Sequence, residues 1–335
     1  MAAMKVLIVT LRVPELPLRN GYDVHVYHLL RELAPNHEIH VLAPPTNAPP
    51  PEIGVTWRMA SGTPDHSSRV RGLAARTQRR AVEMAPALQQ ALRDLEPEVV
   101  HVISGRLAPL GQGLAGFPSV LGALDASHLN ARARMKNAGR SLPRLLASYM
   151  VTLRLIRTAY SAFSTVAVVS DGDAKALHDL APDLSLRAIP NGVNAAEYAF
   201  RTGTERDPHQ ILFTGALNYP PNEHAAELLA REILPEVRRS VPNAYLRLVG
   251  RDPSEAVAAL GRRPGVEIVA DVPEMAPYLS QASVFVCPMT SGTGIKNKLL
   301  EALANGLACV TTPLALQGID AVAGRDVLLG RDTDG

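Results

Sequence analysis

The chain has 335 residues, which bounds it to two domains at about 150 residues each, and its 47% hydrophobic content is enough to bury a sizeable core. Lys+Arg 34 against Asp+Glu 32 leaves a net charge of +2, a balance that argues against nucleic acid as a partner, and five Phe with one Trp argue against a stacking platform for bases. No apolar run approaches the roughly 18 residues of a membrane helix, and Cys287 and Cys309 lie in apolar runs as inert core thiols, so a cytoplasmic protein without disulfide or metal cluster is expected.

Met4 to Thr10 is a continuous apolar strand. A loop punctuated by proline and glycine follows, from Arg12 to Gly21. A helix is predicted from Tyr22 to Ala34, with Val24, Tyr27, Leu30 and Leu33 on its apolar side. His37 to Ala43 is the next strand. The order strand, loop, helix, strand opens a doubly wound sheet, whose ligand crevice lies at the carboxyl ends of its strands. The loop holding Asn20 and Gly21 is therefore either a site edge or a plain connection.

Ala43 to Gly54 is a proline-dense surface loop. Ser68 to Leu95 reads as a basic helical stretch interrupted near Pro86, containing the run Arg76 to Arg80. Without interleaved aromatics that run reads as a solvated face, the alternative being contact with an anionic acceptor or a membrane surface. Strands are predicted at Val99–Ile103, Ser119–Leu124 and Thr165–Val169. Asp171-Gly172-Asp173 has the D-x-D spacing of some divalent-cation sites. Its place just after Ser170 and before an alanine- and leucine-rich helix points instead to helix capping.

Ile189 to Asn194 forms a turn on Pro190 and Asn191-Gly192. Arg201 to Gln210 reads as a linker, so the domains are set at 1–195 and 196–335. The second half alternates regularly. Strands are predicted at Ile211–Thr214, Tyr245–Val249, Val266–Val269, Val284–Val286 and Ala308–Thr311. Helices fall near Glu223–Arg239, Ser254–Arg262, Glu274–Gln281 and Ile295–Asn305.

Phe285 to Gly306 carries the most chemistry. A short buried strand leads through a Gly/Ser/Thr loop into an amphipathic helix with Ile295, Leu299, Leu300, Ala302 and Leu303 on its apolar face. Asn297, Lys298 and Glu301 fall within an arc of about 100° on the other side. Free N–H groups at the helix start favour an anion such as phosphate, and glycine lets the backbone come close to it. A carboxylate one turn on can accept from two neighbouring hydroxyls, as a ribose offers. An ordinary crossover with a solvated Lys/Glu face has the same pattern.

Taken together, five segments resemble the retaining glycosyltransferases of family 4. They are the opening strand, loop and helix with Gly21 and His25; Glu96 to Val102 (EPEVVHV); Ile189 to Asn194 (IPNGVN); Phe213 to Ala225 (FTGALNYPPNEHA); and Gly294 to Gly306. The resemblance covers nearly the whole chain. It implies a GT-B architecture: two facing Rossmann-like α/β domains with parallel sheets, an N-terminal one for the acceptor and a C-terminal one for the donor. It also implies transfer of a sugar from a nucleotide diphosphate sugar to an acceptor hydroxyl, with retention at the anomeric carbon and without metal or other cofactor.

Residue by residue, Glu301 matches the second glutamate of the family's Glu-x7-Glu motif, which holds the ribose. The first falls at Thr293, an uncharged replacement beside the donor sugar. Gly294 and Ile295 keep the backbone N–H groups expected near the diphosphate or the sugar. Many members carry an Arg and a Lys after the first strand of the donor domain, where this chain has Gly215 to Pro221 with neither. The negative charge of the leaving group then falls to Lys296 and Lys298, with Arg251 as a third candidate. Gly21 and Gly215 are candidate donor contacts, and Val272 is a candidate for packing against the base. Asp125 and His128 compete for a catalytic role near the sugar.

Members of the family also continue beyond the segment matching Gly324 to Leu329, so the resemblance implies an incomplete C-terminal domain. An exposed flank and a homodimer are expected from that. Competing readings are a non-catalytic nucleotide-binding homologue or assembly subunit, and a nucleotide-sugar epimerase.

Overall fold

The computed structural model describes residues 2–16, 18, 21–46, 50–60, 73–135, 142–200, 206–292 and 294–330. It divides into two compact units, Met1–Ile189 and Pro190–Gly335. The division falls before the Pro190–Asn194 turn and not after it. Asn191 Nδ2 donates to Asn297 Oδ1 at 3.0 Å, which ties that turn to the second unit.

The first unit is a seven-stranded sheet of β1 (Lys5–Val9), β2 (Glu38–Ala43), β3 (Thr56–Met59), β4 (Val99–Ile103), β5 (Ser119–Leu124), β6 (Thr165–Val168) and β7 (Leu186–Ala188). The strands are all parallel, in the order β3-β2-β1-β4-β5-β6-β7. β1 is apolar throughout its interior because both of its faces are covered. Val6 and Ile8 join a core with Val26 and Leu30 of α1 (Gly21–Leu33), while Leu7 and Val9 join a larger core on the other side. That larger core includes Met84, Leu88 and Leu92 of α2 (Leu73–Leu95) and Leu155 and Ile156.

Two helix readings change. The buried face of α1 is Asp23, Val26 and Leu30, because Asp23 pairs with Arg12 at 2.7 Å and can turn inward. α2 runs through Pro86 without a break, since the core contacts of the turns on either side hold it against a proline penalty of about 3 kcal/mol. Of the arginine run, Arg79 pairs with Glu83 at 2.6 Å, as on a solvated face; the Arg76 side chain lies outside the described residues. The unit is completed by a 3₁₀ segment (Gly105–Gly113), α3 (Ser127–Met135), α4 (Leu142–Ala159) and α5 (Asp171–His178).

The second unit repeats the plan with β8 (Asp207–Thr214), β9 (Tyr245–Gly250), β10 (Val266–Ala270), β11 (Ala282–Cys287), β12 (Ala308–Thr311) and β13 (Leu328–Leu329). Their order is β10-β9-β8-β11-β12-β13, again all parallel. β8 begins at Asp207, inside the stretch expected to be a linker. Pairing with Ala282 of β11 reaches back to that residue, and the Tyr245 hydroxyl donates to Asp207 Oδ2 at 2.7 Å. The helices are α6 (Pro220–Leu228), α7 (Leu234–Ser240), α8 (Glu255–Leu260), α9 (Ala276–Gln281), α10 (Asn297–Ala304) and α11 (Pro313–Leu316). A π-turn over Leu229–Ile233 joins α6 to α7 just before Pro235, whose missing N–H cannot continue the regular ladder.

Both sheets reverse direction beside their first strand, between β1 and β4 and between β8 and β11. In a doubly wound sheet the ligand crevice opens at that switch point, at the carboxyl ends of the strands.

Candidate functional site

In the second unit the crevice is bounded by the residues after β8 and those after β11. β8 ends at Phe213 and Thr214, and the chain turns sharply at Gly215, whose φ is +150°. A Cβ on Gly250, at the end of β9, would lie 1.7 Å from the Gly215 carbonyl oxygen. Glycine at 250 thus lets the two strand ends touch, and the Gly215 N–H closes the contact on Val249 O at 3.0 Å.

Lys298, in the first turn of α10, reaches into this corner. Its Nζ donates to Asn222 Oδ1 at 2.6 Å and lies 4.3 Å from the centroid of the Phe213 ring, which is fully buried. Asn222 is the third residue of α6, buried, and its Nδ2 donates to Ala216 O at 2.9 Å. An ammonium has three donors, and Asn222 is the one hydrogen-bond acceptor that Lys298 Nζ has among the described residues. Burial pushes the Lys298 amine down to about 8, while Cys287 and Glu301 pull it back up and Lys296 adds to the fall. Cys287 is free and buried, with its thiol raised by burial and eased down by Lys298 and Lys296.

Lys296 does something else. It is buried, and its Nζ donates to Gly294 O at 2.7 Å and Gly292 O at 3.2 Å, cross-tying the glycine loop. Gly292 and Gly294 have φ of +102° and +71°, a conformation that suits glycine. α10 starts at Asn297, with Lys296 as its cap and no side-chain cap hydrogen bond. Ile295 is half-buried ahead of that start. Thr293 lies outside the described residues.

Glu301 stands one turn further along α10, half-buried. Burial pushes its carboxyl up to about 7 against the pull of Lys298, and Glu197 adds to the rise. Tyr198 is neighbour to the same carboxylate and its hydroxyl is raised, first by burial and then by Glu301. Lys298 and Glu301 are therefore both strongly perturbed groups at one switch point, a pattern typical of functional sites. Arg251 is half-buried and pairs with Asp252 at 3.2 Å. Val272, just after β10, packs on the core of this unit.

In the first unit the turn after β5 holds Asp125. Leu124 sits at φ +69°, where a bulky residue is uncommon, and the Asp125 N–H donates to Ala123 O at 3.0 Å. Asp125 is half-buried at the strand end. His128 is 5% exposed and faces inward from α3, its imidazole lowered by burial against the pull of Asp173, with Arg132 adding to the fall. Of the two, Asp125 is the less buried. Gly21 is exposed as the first residue of α1.

Ser170 caps α5 and Asp173 lies in its first turn, as the sequence setting indicates. Ser170 Oγ accepts from the Asp173 N–H at 3.1 Å, and Asp173 Oδ1 accepts from the Ala126 N–H at 2.9 Å. No cluster of three or more metal-ligating side chains occurs among the described residues, and no helix among them is long and apolar enough to cross a membrane.

Sequence reasoning missed Asn222, the Phe213 ring face and the pair Glu197 and Tyr198. Asn222 stands inside the segment Phe213 to Ala225, but its partner is 76 residues away, beyond the reach of any local pattern.

A model of Glycosyltransferase Family 4 matches residues 19–197, and one of Glycosyl transferases group 1 matches residues 208–334. No curated protein matches the chain. Among solved structures, sucrose-phosphate synthase from Thermosynechococcus elongatus aligns with a TM-score of 0.74 at 15% identity, covering 98% of this chain and 87% of that one. WaaG, a glycosyltransferase involved in lipopolysaccharide biosynthesis, gives 0.67 at 15% identity, covering 98% and 87%. HepE from Anabaena, in complex with UDP and glucose, gives 0.64 at 11% identity, covering 97% and 85%. At these identities the structures show the shared GT-B fold. With the first family model spanning more than half of its length, the chain belongs to glycosyltransferase family 4 and is a glycosyltransferase.

Proposed function

We propose that the second unit binds a nucleoside diphosphate sugar at the ends of β8 and β11, and that the chain transfers its sugar to an acceptor hydroxyl with retention. The observation that carries this is Lys298, a half-buried ammonium at the switch point, with one neutral acceptor and no ion pair among the described residues. A cation left so under-partnered in a low-dielectric corner gains most from an anion. The departing diphosphate is such an anion, and its charge grows as the glycosidic bond breaks.

The other roles follow from position. Gly294 and Ile295 offer backbone N–H groups from the loop that leads into α10. Glu301, one turn on, accepts from the two ribose hydroxyls when ionised. Lys296 shapes the glycine loop, and Val272 stands beside the base. Asp125 serves the acceptor in the first unit, and the leaving phosphate takes the proton of the incoming hydroxyl. Uridine diphosphate is the first donor nucleotide to try, since HepE, with the same fold, was solved with UDP and glucose.

Calorimetric titration of UDP, GDP and ADP, each against its parent nucleoside, tests the reading on the wild type and on Lys298→Met. The tightest diphosphate is expected to lose about 10- to 100-fold in affinity, roughly 1.4 to 2.7 kcal/mol, while its nucleoside is unaffected. Equal binding of the diphosphate by both proteins would remove Lys298, and with it this placement of the donor.

A further inference from the structure

In a doubly wound sheet the helix after the first strand ordinarily turns its free N-terminal N–H groups toward a phosphate. Here that helix is α6, and it opens with Pro220 and Pro221, neither of which has an N–H. The first N–H it can offer belongs to Asn222, and that one is taken by Tyr219 O at 2.7 Å. The usual anion donors of this corner are therefore missing, and Asn222 presents its side chain in their place.

We infer that Asn222 is a positioning residue for donor binding: it holds the Lys298 ammonium over Gly215 with a neutral oxygen and leaves the positive charge for the diphosphate. The inference rests on the diphosphate reading of the crevice given above. Three contacts carry it. Asn222 Oδ1 accepts from Lys298 Nζ at 2.6 Å, and Asn222 Nδ2 is anchored on Ala216 O at 2.9 Å, which fixes the direction of the amide. Beside Gly215 no methyl group intrudes: a Cβ there would stand 2.6 Å from Lys298 Nζ and 2.8 Å from Asn222 Nδ2. Asn222 is rigid because it is buried in the first turn of a helix whose first two residues are prolines. A carboxylate at position 222 would hold the ammonium equally well but would neutralise it. The amide orients without cancelling the charge.

The test compares Asn222→Ala and Asn222→Asp with the wild type and Lys298→Met. For each, the tightest of UDP, GDP and ADP and its parent nucleoside are titrated, and the Lys298 amine is titrated by NMR. Asn222→Ala is expected to weaken the diphosphate about tenfold and Asn222→Asp by at least about tenfold more, with the nucleoside unchanged in both. The Lys298 pKa should move in opposite directions, further below about 8 in Asn222→Ala and upward in Asn222→Asp. A merely structural asparagine would instead give equal losses, reaching the nucleoside as well, with no opposed titration shift, and that result would overturn the inference. So would wild-type diphosphate binding in both Asn222 variants while Lys298→Met is weakened, which leaves the donor reading standing. If Lys298→Met itself binds like the wild type, the donor reading falls first. Should Asn222→Asp fold poorly, the direction of the Lys298 shift in Asn222→Ala decides.

Discussion

Glu301 and Lys298 are charges that the fold disfavours and the proposed chemistry requires. The folded Glu301 carboxyl titrates at about 7 against an ordinary 4.5 because burial disfavours its anion. A raised carboxyl pKa means that folding favours the protonated form. Its stabilising share is complete below pH 4.5 and is lost as pH rises to about 7. Glu301→Gln is therefore expected to stabilise the protein by about 1–3 kcal/mol above pH 7 and by little at pH 4.5, seen as a Tm gain of a few degrees at the higher pH only. The same change should weaken the donor nucleotide. Affinity in the wild type should fall below about pH 7 as Glu301 takes up its proton, and above about pH 8 as Lys298 loses one. The acid limb should vanish in Glu301→Gln, and an unchanged limb would assign it to another group.

At the scale of elements, the crevice depends on two strand ends that touch only because one of them lacks a side chain. Gly250→Ala would press a methyl on the Gly215 carbonyl, a backbone atom that cannot swing aside. A loss of about 1–3 kcal/mol is expected in denaturant titration, together with weaker diphosphate binding because Gly215 and Asn222 move with that loop. Gly21→Ala is the contrast. A Cβ there meets nothing within 4 Å, so the protein should be as stable as before or more so. How far these elements were legible follows from their burial. β1, β4 and β5 stand in the sheet interior and read as largely apolar runs. β3, β7 and β13 pair through a few backbone bonds with side chains that are exposed or at most partly buried, and no run betrays them. The helix start at Lys298 and Glu301 was legible from spacing. The destination of each lysine was not: Lys296 turned into its own loop and Lys298 crossed to α6, choices made by packing between strands far apart in sequence.

At the scale of the whole molecule, alternating strands and helices foretold two doubly wound units, and the molecule has them. Within the second, β8 and β11 are neighbours, yet the segment between them supplies β9 and β10 on the far side of β8. Asn222 and Lys298, 76 residues apart, meet only once that detour is finished. Loop closure over such a span comes late on the path to the native state. A refolding chain thus has no grip on nucleotide until it has nearly arrived, so stopped-flow refolding should run at the same rate with or without saturating diphosphate, while unfolding slows. Acceleration of refolding by nucleotide would mean that the crevice assembles before the rate-limiting barrier. With the order expected here, ligand acts as a brake on departure and never as a template for arrival.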